Sequence, residues 1–114
     1  MLPAMAGSPQ TDEIIIYTAV NEEDLAEEIL VDLVSDGLIL SGNYYPVKTI
    51  FMWDGVLHVD EEYKLMMKAR QGYYADVEKY IMANHPYRAP EIIRIDASFG
   101  SPEFKQHITA HKKL

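Results

Sequence analysis

The chain has 114 residues, 48% of them hydrophobic, which is enough for one compact unit with a real core and too little for two. Eighteen acidic against ten basic side chains leave a formal charge of −8, which repels phosphate backbones and anionic lipid, so neither nucleic acid nor membrane is an expected partner. The absence of cysteine excludes disulfides, thiolate metal sites and cysteine nucleophiles.

The opening "MLPAMAGSPQ" lacks the basic start and long apolar run of a signal peptide. Nor does any apolar run approach the roughly 20 residues of a membrane span. The expectation is a cytoplasmic chain with residues 1–12 as a flexible tail and a single domain over 13–114. "EIIIYTAV" (13–20) is a β-branched and aromatic run that predicts a buried strand. A helix over 22–35 follows, with Asn21 as its cap and Glu22, Glu23 and Asp24 at the positive end of the dipole. Leu25, Ala26, Ile29, Leu30, Leu33 and Val34 form its apolar stripe, and Gly37 supplies a left-handed stop.

Asp54-Gly55, between runs rich in Thr, Ile, Phe, Val and Tyr, is a hairpin signal. It predicts one strand at about 38–53, interrupted near Ser41 to Pro46, and a second at about 56–69. "QGYYADVEKYIMANHP" predicts an amphipathic helix carrying Tyr73, Val77 and Ile81, with Tyr74 and Met82 alongside, and Pro86 ends it. "PEIIRIDA" reads as a last strand, and Ser101 with Pro102 starts a C-terminal helix carrying Phe104 and Ile108.

Strand, helix, strand, strand, helix, strand is the split-βαβ order, so the predicted class is α+β, a ferredoxin-like βαββαβ sandwich with an added C-terminal helix. Two helices cover one sheet face. Ile14 to Ile16, Ile50 to Met52 and Leu65 to Met67 leave the other face too apolar to stay wet, which predicts association with further copies.

Between the second helix and the last strand stands "NHPYRAPEI" (84–92). Its prolines stiffen a connection in which Tyr87 packs and His85 caps the helix carbonyls. A second reading makes His85 a neutral imidazole ligand and Glu91 a hard oxygen donor for a divalent ion or a neighbour of a small effector. His107 and His111, at i and i+4, could form a two-point ligand pair, but such a pair near a terminus is more often a solvated helix end, and His58 is expected to be exposed. Trp53 suits an interface or a stacked ligand, while Lys68, beside Leu65, Met66 and Met67, needs an acidic partner such as Glu62 or Glu91. Glu61 and Glu62 are adjacent and point to opposite faces of a strand, and no nucleophile motif or glycine-rich phosphate loop is present. Catalysis is not expected.

The motifs "NEEDLAEEI", "WDG" with Lys68 fifteen positions after Trp53, "HPYRAPEI" and "GSPEF", in that order, resemble the CutA family of divalent-cation-tolerance proteins along nearly all of residues 13–114. The resemblance implies a ferredoxin-like protomer in a tight homotrimer, similar in architecture to PII signalling proteins. It further implies clefts between subunits where Trp53, Asp60, Glu62, Lys68, His85, Tyr87 and Glu91 gather around a divalent metal ion, copper or zinc, or a small effector. The alternative function is a structural, scaffolding or PII-like signalling trimer without metal binding. The chain departs from the family pattern at Ala19 and Ser41, where cysteine is common, so copper cannot be held by thiolate; Arg88 and Ala89 also replace the common acidic and branched residues.

Overall fold

The computed structural model describes residues 12–110. The opening tail, up to residue 11, and His111, the second member of the proposed histidine pair, lie outside the described residues. The elements are β1 (Glu13–Val20), α1 (Glu23–Ser35), β2 (Ser41–Trp53), β3 (Val56–Arg70), α2 (Tyr74–Asn84), β4 (Ile93–Ala97) and α3 (Pro102–Ala110). All strand pairs are antiparallel and the sheet order is β2-β3-β1-β4, which is the order expected of a ferredoxin-like sandwich.

Alternation sorts the sheet into two faces. Ile14, Ile16, Val20, Leu65, Met67 and Ala69 turn to one side and form a single buried cluster with Ala26, Ile29, Leu30 and Leu33 of α1 and Val77 and Ile81 of α2. Gly42 sits where β2 passes under α1: a Cβ there would come within 2.6 Å of Leu30 Cδ2. Two phenols tie α1 down further. Tyr80 of α2 donates to Asp32 at 2.7 Å, and Tyr44 of β2 donates to Glu23 and Glu27, each at 3.2 Å. Burial first, then the two carboxylates, push the Tyr44 phenol up to about 12.

Helix α1 ends as its sequence predicts. Gly37 adopts φ 75°, its N–H bonds the Val34 carbonyl and the Leu38 N–H bonds the Leu33 carbonyl, which is a Schellman motif. Its start differs: Glu22, not Asn21, is the capping position, with no side-chain bond, and the carboxylates of Glu23 and Asp24 meet the first-turn amides only through the dipole. Ser101 does cap α3, accepting the Phe104 N–H at 3.1 Å.

The hairpin also corrects its prediction. Leu38 to Leu40 belong to the α1 connection, and β2 then runs unbroken from Ser41 through Pro46 to Trp53. Pro46 is tolerated because β2 is an edge strand, where a missing N–H need not cost a ladder bond. β4 starts at Ile93 rather than Pro90, and Tyr73 belongs to a separate single turn ahead of α2. Met82 is exposed, so the buried stripe of α2 is narrower than its sequence suggests.

β2 and β3 continue past the rest of the sheet as a two-stranded ribbon. Its tip leaves Ile50, Met52, Trp53, Val56, Leu57 and Val59 each more than half exposed. On the face away from the helices, Ile93 and Ile95 of β4 are also exposed. Glu13, only 5% exposed, receives the Phe99 N–H at 3.3 Å and pairs with Lys105 of α3 at 2.7 Å, so the C-terminal helix is strapped to the first residue of β1.

Thr18 is fully buried on the helix side of β1, and its hydroxyl has no hydrogen-bond partner among the described residues. Replacing it by the isosteric valine removes a desolvated donor, so Thr18→Val is expected to stabilise the protein by about 1 kcal/mol, read as a higher midpoint in urea unfolding. A lower midpoint would show that the hydroxyl is satisfied in solution.

Candidate functional site

The Asp54-Gly55 turn has φ 51° and 75°, the doubly left-handed two-residue geometry that matches strand twist. It places Trp53 opposite Val56, Phe51 opposite His58, Thr49 opposite Asp60 and Val47 opposite Glu62. Thr49, Phe51, Trp53, His58, Asp60 and Glu62 therefore share the ribbon face turned away from Ile50, Leu57 and Val59. This face forms one wall of a cleft of about 1020 Å³ whose other wall is Tyr87 to Ala89 and Glu91, with Ala19 at its base.

The second wall is held by His85. Pro86 forces the residue before it out of the helix, and His85 takes φ −85° and ψ 138° while its N–H still bonds Ile81. Its ring is buried. Nδ1 accepts the Tyr87 N–H at 3.1 Å, so the hydrogen-bond network assigns the proton to Nε2, which donates to the Ala19 carbonyl at 2.6 Å. The Tyr87 ring lies 4.7 Å from the imidazole, and its hydroxyl reaches across the cleft to donate to Glu62 Oε2 at 2.7 Å. Thr49 donates to Glu62 Oε1, also at 2.7 Å. Burial first, then Glu62 and Asp60, push the Tyr87 phenol well above its ordinary range, so it remains a donor at neutral pH.

Of the residues singled out from sequence, Trp53, Asp60, Glu62, Tyr87 and Glu91 line this one cleft, and His85 stands behind it. Lys68 does not join them. It lies opposite Ser41 and Ile15, and the cation that meets Glu91, at 2.9 Å, is Lys64. The reason is distance along the strand: four residues separate the two lysines on the same face, roughly 13 Å. His85 does not cap the helix carbonyls with its ring, and His58 is half-buried, stacked on Phe51 at 5.2 Å and 12°. Thr49, Phe51 and Arg88 also line the cleft, and counting pairs outward from Asp54-Gly55 places Thr49 and Phe51 beside Asp60 and His58.

As a metal site within one protomer the cleft does not fit. Both nitrogens of His85 and both oxygens of Glu62 are committed to hydrogen bonds, and Glu91 is neutralised by Lys64. Among the described residues no three His, Asp or Glu side chains stand together as a ligand set.

Residues 14–111 match the family described as CutA1 divalent ion tolerance protein. The chain is 31% identical over 100 residues to the divalent-cation tolerance protein CutA of Pyrococcus horikoshii, covering 88% of this chain and 98% of that one. It is 26% identical over 98 residues to the chloroplastic protein CutA of Arabidopsis thaliana, where it spans 85% of itself and 54% of the plant protein, about half its length. Among solved structures, the periplasmic divalent cation tolerance protein CutA of Archaeoglobus fulgidus superposes with a TM-score of 0.80 at 28% identity, over 86% of this chain and 96% of that chain.

If His85 is a structural bridge, His85→Ala should lower stability by about 2 kcal/mol, because a buried carbonyl and a half-buried amide lose their partner together. Chelator should leave the parent protein's melting temperature unchanged. A chelator-induced loss equal to that of His85→Ala would instead make the ring a metal ligand.

Proposed function

This chain belongs to the CutA1 divalent ion tolerance family, and from that premise we propose that it works as a trimeric, non-enzymatic module that binds a small ligand at clefts completed between subunits. The observation that carries the reading is the cleft itself. Five residues implied by the family resemblance, separated by up to 38 positions in sequence, converge on one concave surface whose walls are locked by Tyr87, Glu62 and Thr49. A surface pre-organised this way suits binding, because its shape does not have to be created when the ligand arrives.

Association with like copies is supported by the ribbon. Seven apolar side chains from Ile50 to Val59 are exposed on both of its faces, more than an isolated chain keeps in water without a partner. Cleft and ribbon are continuous through Phe51 and Trp53, so copies that cover the ribbon also close the cleft. A non-catalytic role is supported by how the cleft acids are used. Glu62 accepts one hydroxyl donor on each oxygen and Glu91 is paired with Lys64, arrangements that fix shape. A divalent ion held here would need donors from a neighbouring copy, since one protomer does not supply them. The family's link to cation tolerance then runs through what the cleft recognises and not through a preformed coordination sphere.

The test is light scattering combined with thermal melting. The account expects a mass of three chains, and a saturable ligand at ~100 Kd should raise stability by about 2.7 kcal/mol. Tyr87→Phe should weaken that ligand while leaving the trimer assembled. A monomer at micromolar concentration would overturn the architecture, and a trimer whose melting responds to no small cation, metal or organic, would leave only the scaffolding role.

A further inference from the structure

We propose that the Tyr87–Glu91 wall of the cleft is a pH-dependent flap, held in place by the neutral ring of His85 and released when that ring takes up a second proton. The inference concerns a movement of the chain itself and stands apart from which ligand the cleft receives.

The wall has few anchors. Among the described residues, no backbone group between Pro86 and Glu91 bonds another backbone group, and the Tyr87 N–H is the one amide held there, by His85 Nδ1 at 3.1 Å. The remaining ties are side chains, Tyr87 to Glu62 at 2.7 Å and Lys64 to Glu91 at 2.9 Å. The ladder of β4 begins only at Ile93. A stretch fixed at so few points opens locally at low cost, so the loss of one anchor is felt along its length.

The histidine anchor works in one protonation state. The residue is 9% exposed, and with the hydrogen on Nε2 donated to the Ala19 carbonyl, Nδ1 is left as the acceptor for Tyr87. A second proton on Nδ1 would point at the Tyr87 N–H, so two donors face each other where one bond was. None of the charged groups placed about the ring is bonded to it. On β3, Lys64 stands opposite Ala19 and pairs with Glu91, while Glu62 accepts from Tyr87 and Thr49. On the α1 side, Asp32 accepts from Tyr80 of α2 and Glu28 acts on the same phenol; on the connection itself, Arg88 is a further cation. The Tyr87 ring, 4.7 Å away and tilted by 56°, offers the new N–H no acceptor. The charged ring is therefore satisfied only by water, which it reaches when the Tyr87 amide lets go. Histidine changes its charge between about pH 5 and 8, so the wall is held at the alkaline end of that range and freed at the acid end.

The test is NMR on the assembled, ligand-free protein, isotope-labelled at histidine and tyrosine nitrogen and taken from about pH 8 to about pH 5. One joint transition is expected. His85 passes from the neutral Nε2–H tautomer to the doubly protonated ring, and with the same midpoint the protection of the Tyr87 amide, corrected for the intrinsic pH dependence of exchange, falls by about tenfold. In His85→Asn, whose side-chain oxygen can stand where Nδ1 stands and does not titrate, that protection should keep one level across the range. A ring that stays neutral down to about pH 5 in the folded protein would overturn the proposal. So would a ring that titrates while Tyr87 stays protected. A transition that survives in His85→Asn belongs to another group and overturns it equally. Because no ligand is present and the parent protein alone gives the joint transition, the result depends neither on what the cleft binds nor on whether the variant folds.

Discussion

The two left-handed residues at the hairpin tip, Asp54 and Gly55, set the register on which the other features rest. With them at the turn, every pair of β2 and β3 is determined, from Trp53 opposite Val56 down to Ser41 opposite Lys68. Because side chains alternate, the same register that sends Leu65, Met67 and Ala69 into the core sends His58, Asp60, Glu62 and Lys64 to the other face. A slip of one residue would bury charge under the helices and expose the core. The cleft and the core are therefore two readouts of one pairing.

On that frame Glu62 becomes the meeting point of two distant stretches. Its oxygens take hydroxyl donors from Thr49, on the facing strand, and from Tyr87, in the proline-bounded connection after α2. His85 carries the same connection to the end of β1 through the Ala19 carbonyl. The ring accepts from one backbone amide and donates to a buried carbonyl, so both of its nitrogens join two segments of the chain. The prolines hold the segment rigid, and the histidine decides where it is held.

Much of the fold was legible because its signals are local and periodic. The Gly37 stop, the Asp-Gly turn and the Ser-Pro helix start each depend on a few neighbouring residues and are found where they were read, and the helix stripes are found without Val34, Tyr73 and Met82. The readings that failed depended on the third dimension. An interruption near Pro46 is the reasonable expectation for a central strand, and only the sheet order shows that β2 is an edge. Lys68 was matched with Glu91 by chemical type, whereas Lys64 has the right position along the strand. Asn21 was a better cap by residue type than Glu22, yet the chain enters the helix one residue later than composition suggests. The candidate site was legible as a set of residues but not as a geometry: nothing local says that both oxygens of Glu62 and both nitrogens of His85 are hydrogen-bonded.

The central claim is that the cleft is a built surface, with Glu62 joining the ribbon to the Tyr87 segment. A double-mutant cycle in urea on the assembled protein, using Tyr87→Phe and Glu62→Gln singly and together, measures that joint directly. The account predicts a coupling of about 1 kcal/mol or more between the two substitutions, as expected for a charge-assisted bond between half-buried groups. Losses that add to within about 0.3 kcal/mol would show that the two side chains do not hold each other, and that the cleft walls are brought together by something else.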